Sequence, residues 1–245
     1  MRICLIPLKT VSRKYSKNYE HLKQCLAEIV PQYHPDIVCL PECTLTGYLY
    51  KEEEFIQFAE PVPGPTTRQM SELAIIHEIF LCFGLLEKYD GCVYNTSVLL
   101  DPTGEILLKH RKNNEKPPFI SGEGVGSVDT QLGKVGILIC GDLFSDEVKR
   151  RLDPNLDFLI VPMSRAFDGV SPDSERWEKE ERAAYIEAAK STGTTTLIVN
   201  TLEIDIEEPS FGGALIIDAS GKLVAESLHG TDDVLIWDFH KAVGS

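Results

Sequence analysis

No stretch of the 245-residue chain approaches the ~20 consecutive apolar residues that cross a bilayer, so a membrane-spanning helix is not expected. The opening MRICLIPLKT lacks a long apolar core and a small-residue cleavage site, and a secretory signal is not expected either. Basic charge is scarce: 24 Lys and Arg stand against 38 Asp and Glu, a formal net charge of −14. Nucleic acid and anionic lipid surfaces need clustered cations and are poor partners for such a chain. The acid is spread along the sequence rather than gathered in a tail, as on a solvated surface. The seven cysteines form no C-x-x-C pair, which removes the usual zinc and dithiol arrangements. Their odd number fits free thiols in a cytoplasmic protein.

What is present has the balance of a globular protein, 43% apolar and 25% charged residues. RICLIPL, PDIVCLPE, FLCFGLLEK, VYNTSVLLD, KVGILIC, DFLIVPM and TTTLIVNTLE read as strands. SKNYEHLKQCLAEIV, TTRQMSELAIIHEI, SDEVKRRL and SERWEKEERAAYIEAAKST read as helices. Alternation of the two implies an α/β protein. YNTSVLLDPTGEIL (94–107) aligns without gaps on FGGALIIDASGKLV (211–224), matching Asp101 to Asp218 and Gly104 to Gly221. Each D-x-x-G stretch fits a hairpin with glycine at the left-handed position. DIVCLPE and DFLIVPM form a second related pair, in the same order. The repeat predicts two sheets face to face between helical layers, in one domain spanning 1–245.

Reactive groups in α/β proteins gather where strands end. Glu42 follows DIVCLP, Lys112 lies beyond the second strand of the first hairpin, and Cys140 follows KVGILI. Singly, each has an ordinary reading: a packed thiol, a turn acid, and one lysine of a solvated KHRK rim. Together they supply what thiol acyl transfer needs, namely a nucleophile, a base for its proton and a cation for the developing charge. The N–H of Gly141 is available as a second donor because no side chain covers it. Histidine, the usual thiol partner, is missing from any comparable position.

LPECTLTGY, YNTSVLLDPTGEILLKHRK and GKVGILICGDLFSDE resemble, in order, the glutamate, lysine and cysteine motifs of the nitrilase, or carbon–nitrogen hydrolase, superfamily. RWEKEERAAYIEAAKSTGTTTLIVN and FGGALIIDASGKLVAE extend the resemblance nearly to the C-terminus. It implies an α-β-β-α sandwich and cofactor-free hydrolysis of a small-molecule amide or carbamoyl amide. Glu42 would be the base, Lys112 the stabiliser of the tetrahedral intermediate and Cys140 the nucleophile. EKPPFISG resembles the segment bearing a second active-site glutamate, here Glu115. The sequence departs from the family at Asn113 and Asn114, where histidine and leucine are common, and at Gly141, where an aromatic residue is common. The arginine frequent in the cysteine motif is absent. These changes bear on the substrate more than on the reaction. Asp142 and Glu147 match acidic positions and read as capping or loop-tying groups. Arg165, after LIVPMS, either faces the pocket to meet a carboxylate or ties its loop down.

Two other readings stand beside the amidase: a nitrilase using the same triad, and a non-catalytic binding protein of this fold. Family members usually pair through outer helices, which implies a homodimer. In SERWEKEERAAYIEAAKST, Glu178 and Arg182 are spaced for an exposed pair. Trp177, Ala184, Tyr185 and Ala188 form a less polar side that meets either a sheet or, with SDEVKRRL, a second copy.

Overall fold

The computed structural model describes residues 1–117, 119–168, 170–203 and 209–239. Its first half runs β1 (Arg2–Leu5), β2 (Lys9–Thr10), α1 (Tyr15–Tyr33), β3 (Ile37–Cys39), α2 (Glu52–Phe58), α3 (Pro65–His77), β4 (Phe80–Tyr89), β5 (Cys92–Leu100) and β6 (Ile106–Arg111). The second half begins with β7 (Ser127–Thr130), β8 (Gly133–Ile137), α4 (Asp146–Lys149), β9 (Phe158–Met163), α5 (Ser174–Arg176) and α6 (Arg182–Lys190). It continues with β10 (Thr195–Asn200), β11 (Leu202–Glu203), β12 (Ala214–Ile217), β13 (Leu223–Glu226) and β14 (Leu235–Asp238).

The repeat seen in the sequence becomes two sheets of the same plan. One has the order β14-β1-β3-β4-β5-β6, the other β13-β12-β10-β9-β8-β7. In the first, β1, β3 and β4 are parallel and β5 and β6 follow antiparallel. In the second, β8, β9 and β10 are parallel, and β12 and β13 follow antiparallel. The matched turns are built alike. Asp101 Oδ1 accepts from the N–H groups of Thr103 and Glu105, and Asp218 Oδ1 from those of Ser220 and Lys222. Gly104 (φ +81) and Gly221 (φ +87) take the left-handed position that a side chain would strain.

Side-chain alternation separates two apolar layers along the first sheet. Cys4, Val38, Leu81, Phe83 and Val98 pack with Leu22, Leu26 and Ile29 of α1 and Met70 and Leu73 of α3. Ile3, Leu5, Ile37, Cys39, Cys82 and Leu99 point the other way, into a core shared with Ile137, Phe158 and Ile160 of the second sheet. That core continues to Tyr185, Ala188 and Ala189 on α6. The layers are therefore α-β-β-α, as the repeat predicted. Burying such side chains contributes ~1.5–3 kcal/mol each and fixes the two sheets' relative register. Among the described residues no helix is long and apolar enough to cross a membrane.

Two helices differ from expectation. SDEVKRRL is α-helical only over Asp146–Lys149, continuing in i→i+3 turns to Leu152 with Pro154 close behind. The segment from Ser174 to Lys190 is helical but carries a π turn at Trp177–Glu181. Arg182 does not pair with Glu178; its guanidinium grips the carboxylate of Glu226 at 2.8 Å, and the Trp177 indole N–H donates to the same group. Trp177, Tyr185 and Ala188 are buried within this chain, against Phe211 and His229 for the two aromatics, so they present nothing to a second copy. Ala184 is exposed.

Candidate active site

Strand direction gathers the reactive groups. β3, β6, β8 and β9 each end near the same edge, and the residues just beyond them are Glu42, Lys112, Cys140 and Ser164. The stretch KHRK is split by the period of two. Lys109 and Arg111 point to one face, where both bind the buried Glu87 at 2.6 and 2.8 Å. His110 and Lys112 point to the other, the imidazole meeting Asp142 at 2.8 Å and the ammonium entering the site. Lys109 is thus an exposed residue whose ammonium is held by a buried acid, on the face away from the site. Burial pushes the Glu87 carboxyl up, but Arg111, Lys109 and Thr96 together hold it below the usual glutamate range.

The Lys112 ammonium lies 3.0 Å from Glu42 Oε1 and 3.0 Å from Glu115 Oε2. Burial works against this charge, yet Glu42, with smaller contributions from Cys140, Tyr48 and Glu115, holds it well above the ordinary lysine range. Glu42 is fully buried. Its Oε1 also accepts from Asn95 Nδ2 at 2.6 Å, and its Oε2 from the Ser164 N–H at 2.8 Å. The Asn95 amide reaches Glu115 as well, at 3.3 Å. Lysine and asparagine therefore hold two carboxylates side by side without leaving either unpaired.

Cys140 opens a tight 3-10 turn, Cys140–Phe144, with φ +45, a conformation that a side chain adopts only under constraint. The constraint comes from Asp142. Its Oδ1 accepts from the N–H groups of Asn113 and Asn114, at 2.9 and 2.6 Å, and its Oδ2 from that of Ile139 at 3.1 Å. One carboxylate so ties the Cys140 turn to the lysine loop, and Asn114 Nδ2 adds a bond to the Gly141 carbonyl at 2.9 Å. The loop-tying expected of Asp142 is present; Glu147 instead pairs with Arg151 at the surface. Burial, then the Glu42 charge, push the Cys140 thiol up to about 12, against the pull of Lys112, Arg165 and the Ser164 amide. A thiol so placed rests protonated and reacts only with a base to take its proton.

A cavity of about 340 Å³ opens over these groups, with Tyr48, Lys112, Glu115, Cys140, Gly141 and Arg165 in its wall. A larger groove of about 720 Å³ runs past Tyr89, Tyr94 and the 120–126 loop, but no cysteine lines it and its cations are those bound to Glu87. Arg165 lines the cavity while its loop is tied down through its backbone. Its backbone is pinned by Asn200, which accepts from its N–H at 2.7 Å and donates to its carbonyl at 3.1 Å. Its side chain faces the pocket, near Cys140 and the Tyr185 hydroxyl. Cys43, the neighbouring thiol, is buried in an apolar cluster with Leu49, Phe55 and Phe119. Among the described residues no group of His, Cys, Asp and Glu is arranged to hold a metal ion.

Sequence reasoning brought Glu42, Lys112, Glu115, Cys140, Gly141 and Arg165 to one place and missed Asn95 and Ser164. A signal for Asn95 existed: it is a polar residue at a strand position whose repeat partner is Gly212. Ser164 acts through its backbone and left none.

The profile of the carbon-nitrogen hydrolase family matches residues 2–244. The omega-amidase NIT2 of Mus musculus is 26% identical over 251 residues, covering 96% of this chain and 87% of that one. A carbon-nitrogen hydrolase from Helicobacter pylori superposes with a TM-score of 0.84 at 19% identity, covering 96% and 88% of the two chains. An amidase from Nesterenkonia superposes with a TM-score of 0.81 at 19% identity, covering 98% and 90%. A variant of that amidase has been solved with acrylamide added to its active-site cysteine. With the motifs in order and the family profile matched almost end to end, the chain belongs to the carbon-nitrogen hydrolase family.

Proposed function

We propose that the chain hydrolyses the amide C–N bond of a small anionic molecule through a thioester on Cys140. One observation carries the reading: a buried ammonium bridges two carboxylates at 3.0 Å each, in the wall of the cavity that holds a protonated thiol. Glu42 takes the proton from Cys140 Sγ as sulfur attacks the amide carbon. The oxygen of the tetrahedral intermediate gathers negative charge, which Lys112 and the Gly141 N–H meet; that amide lies in the first turn of its 3-10 segment, where no helical partner exists. The C–N bond then breaks, the amine leaving with the proton that Glu42 returns. Water attacks the thioester, Glu42 again receiving a proton and passing it to the departing sulfur. Glu115 and Asn95 keep Lys112 and Glu42 in place throughout.

Arg165 supports an anionic substrate, since among the described residues its guanidinium forms no ion pair within contact distance, Glu181 acting on it only at longer range, while its backbone is rigidly held. Ammonia release measured over a panel of amides and nitriles, neutral and carboxylated, tests this. Arg165→Gln is expected to raise KM for carboxylated amides by about 10–100-fold, the worth of a charge-assisted hydrogen bond, with little change for neutral ones. Equal effects on both would remove the anion from the reading, and nitriles turning over in place of amides would change the reaction assigned.

A homodimer belongs to the same proposal, with the exposed side of α6 at Ala183 and Ala184 and the half-exposed Phe144 as its contact. Light scattering at micromolar concentration should return about twice the chain mass of 27.3 kDa; the mass of one chain would rule the pairing out.

A further inference from the structure

One buried acid beside the site takes no part in the mechanism above. Glu203 is 1% exposed, on the short β11 strand beside β2. Its Oε2 accepts from Ser210 Oγ at 3.2 Å, and Ser210 Oγ lies 2.9 Å from Ser164 Oγ. The N–H of Ser164 is the donor to Glu42 Oε2. Two hydrogen-bonded serine hydroxyls therefore link a second carboxyl to Ser164, the residue whose backbone N–H holds the base. Space for it is made by Gly47 (φ +69), where a Cβ would fall 2.1 Å from Glu203 Oε1, so the loop that follows Glu42 is shaped to admit this group. Among the described residues no cation pairs with Glu203; the titratable groups facing it are Glu42 and Cys43, with Tyr48 meeting it through the backbone.

We propose that Glu203 is a positioning acid for the Glu42–Cys140 pair: through Ser210 and Ser164 its protonation state sets how readily the Cys140 thiol gives up its proton. The inference rests on the assignment of Glu42 and Cys140 made above. Burial pushes the Glu203 carboxyl up to about 7, with the Ser210 hydroxyl pulling the other way, so its change of charge falls near neutral pH. Neutral Glu203 leaves Glu42 and its cation balanced. Ionised Glu203 adds a negative charge beside them and makes the Cys140 thiolate harder to form. Only an O–H bond is made or broken in this switch, and the proton passes to solvent.

Iodoacetate, which has no amide bond, reads it without any amide substrate, since Cys140 sulfur displaces iodide to give a stable thioether. Alkylation at Cys140 would be followed by mass spectrometry from pH 5 to 9, with Cys140→Ala reporting the background from the other thiols. In the unmodified chain the rate is expected to climb with pH and to slacken on the order of three- to tenfold below proportionality as Glu203 ionises. Glu203→Gln, which keeps the shape and the hydrogen bond, should climb without slackening. Ser210→Ala should move the slackening to higher pH, because it removes a donor that favours the ionised acid. The same slackening in Glu203→Gln overturns the proposal. Should that variant not fold, an unmoved profile in Ser210→Ala overturns it equally. Failure of every amide to turn over, with the Glu203-dependent profile intact, would remove the assigned reaction and leave this coupling standing; turnover with a featureless profile would do the reverse.

Discussion

Replacing Cys140 by alanine is expected to abolish amide turnover, by at least about 10⁴-fold, with the fold retained. Among the described residues Cys140 carries the only thiol in the cavity wall, and a thioester needs one. Alanine keeps the Cβ that already occupies the φ +45 position, and the turn is held by Asp142 rather than by sulfur. Thermal melting should therefore change little while ammonia release disappears. Cys43→Ala is the control. That side chain fills an apolar cluster, so its loss costs some stability and leaves most of the rate. Near-normal turnover by Cys140→Ala would show the nucleophile to be wrongly assigned.

The second large effect is expected from Lys112→Met, which keeps most of the aliphatic stem and removes the cation. Loss of one stabiliser of the tetrahedral intermediate typically costs ~10²–10³ in kcat. A further consequence follows from the geometry, because Lys112 lies between Glu42 and Glu115. Without it, two carboxylates face each other with no cation between them, so Lys112→Met should also lower the melting temperature. Lys109→Met makes the comparison. Its partner is Glu87 on the opposite face, so it should lower stability by about 1–3 kcal/mol and leave the rate of the folded enzyme nearly unchanged. Equal rate losses in the two variants would show that the cation in the site had been misplaced.

Glu42 and Cys140 were legible because each ends an apolar run, and a strand end is a local feature. The paired sheets were legible because DIVCLPE matches DFLIVPM and the D-x-x-G turns match each other, and those similarities survive as β3 against β9 and as two turns with the same hydrogen bonds. Asn95 was harder to read, because it reaches Glu42 across β4 within the first sheet, 53 residues away, and Ser164 was hidden, because it meets Glu42 from 122 residues away only once the two sheets have packed. Glu203 was hidden for the same reason: nothing near it in the chain announces that Gly47 makes room for its carboxyl. The ion pair of Lys109 with Glu87 was not legible, because a run of four basic residues does not announce that strand alternation sends its members to two faces. The helix side bearing Trp177 and Tyr185 was ambiguous on its own, since an aromatic side that covers a sheet and one that meets a second chain have the same pattern. Phe211 and His229 decide it here.

The central claim is a covalent acyl group on Cys140, and quenched-flow mass spectrometry addresses it directly. The enzyme would be mixed with a carboxylated amide that it turns over, stopped in acid within milliseconds to seconds, digested and mapped. The account predicts an added acyl mass on the peptide containing Cys140, removed by hydroxylamine and absent from Cys140→Ala. Turnover with that peptide unmodified, or with the acyl group on Cys43, would contradict it.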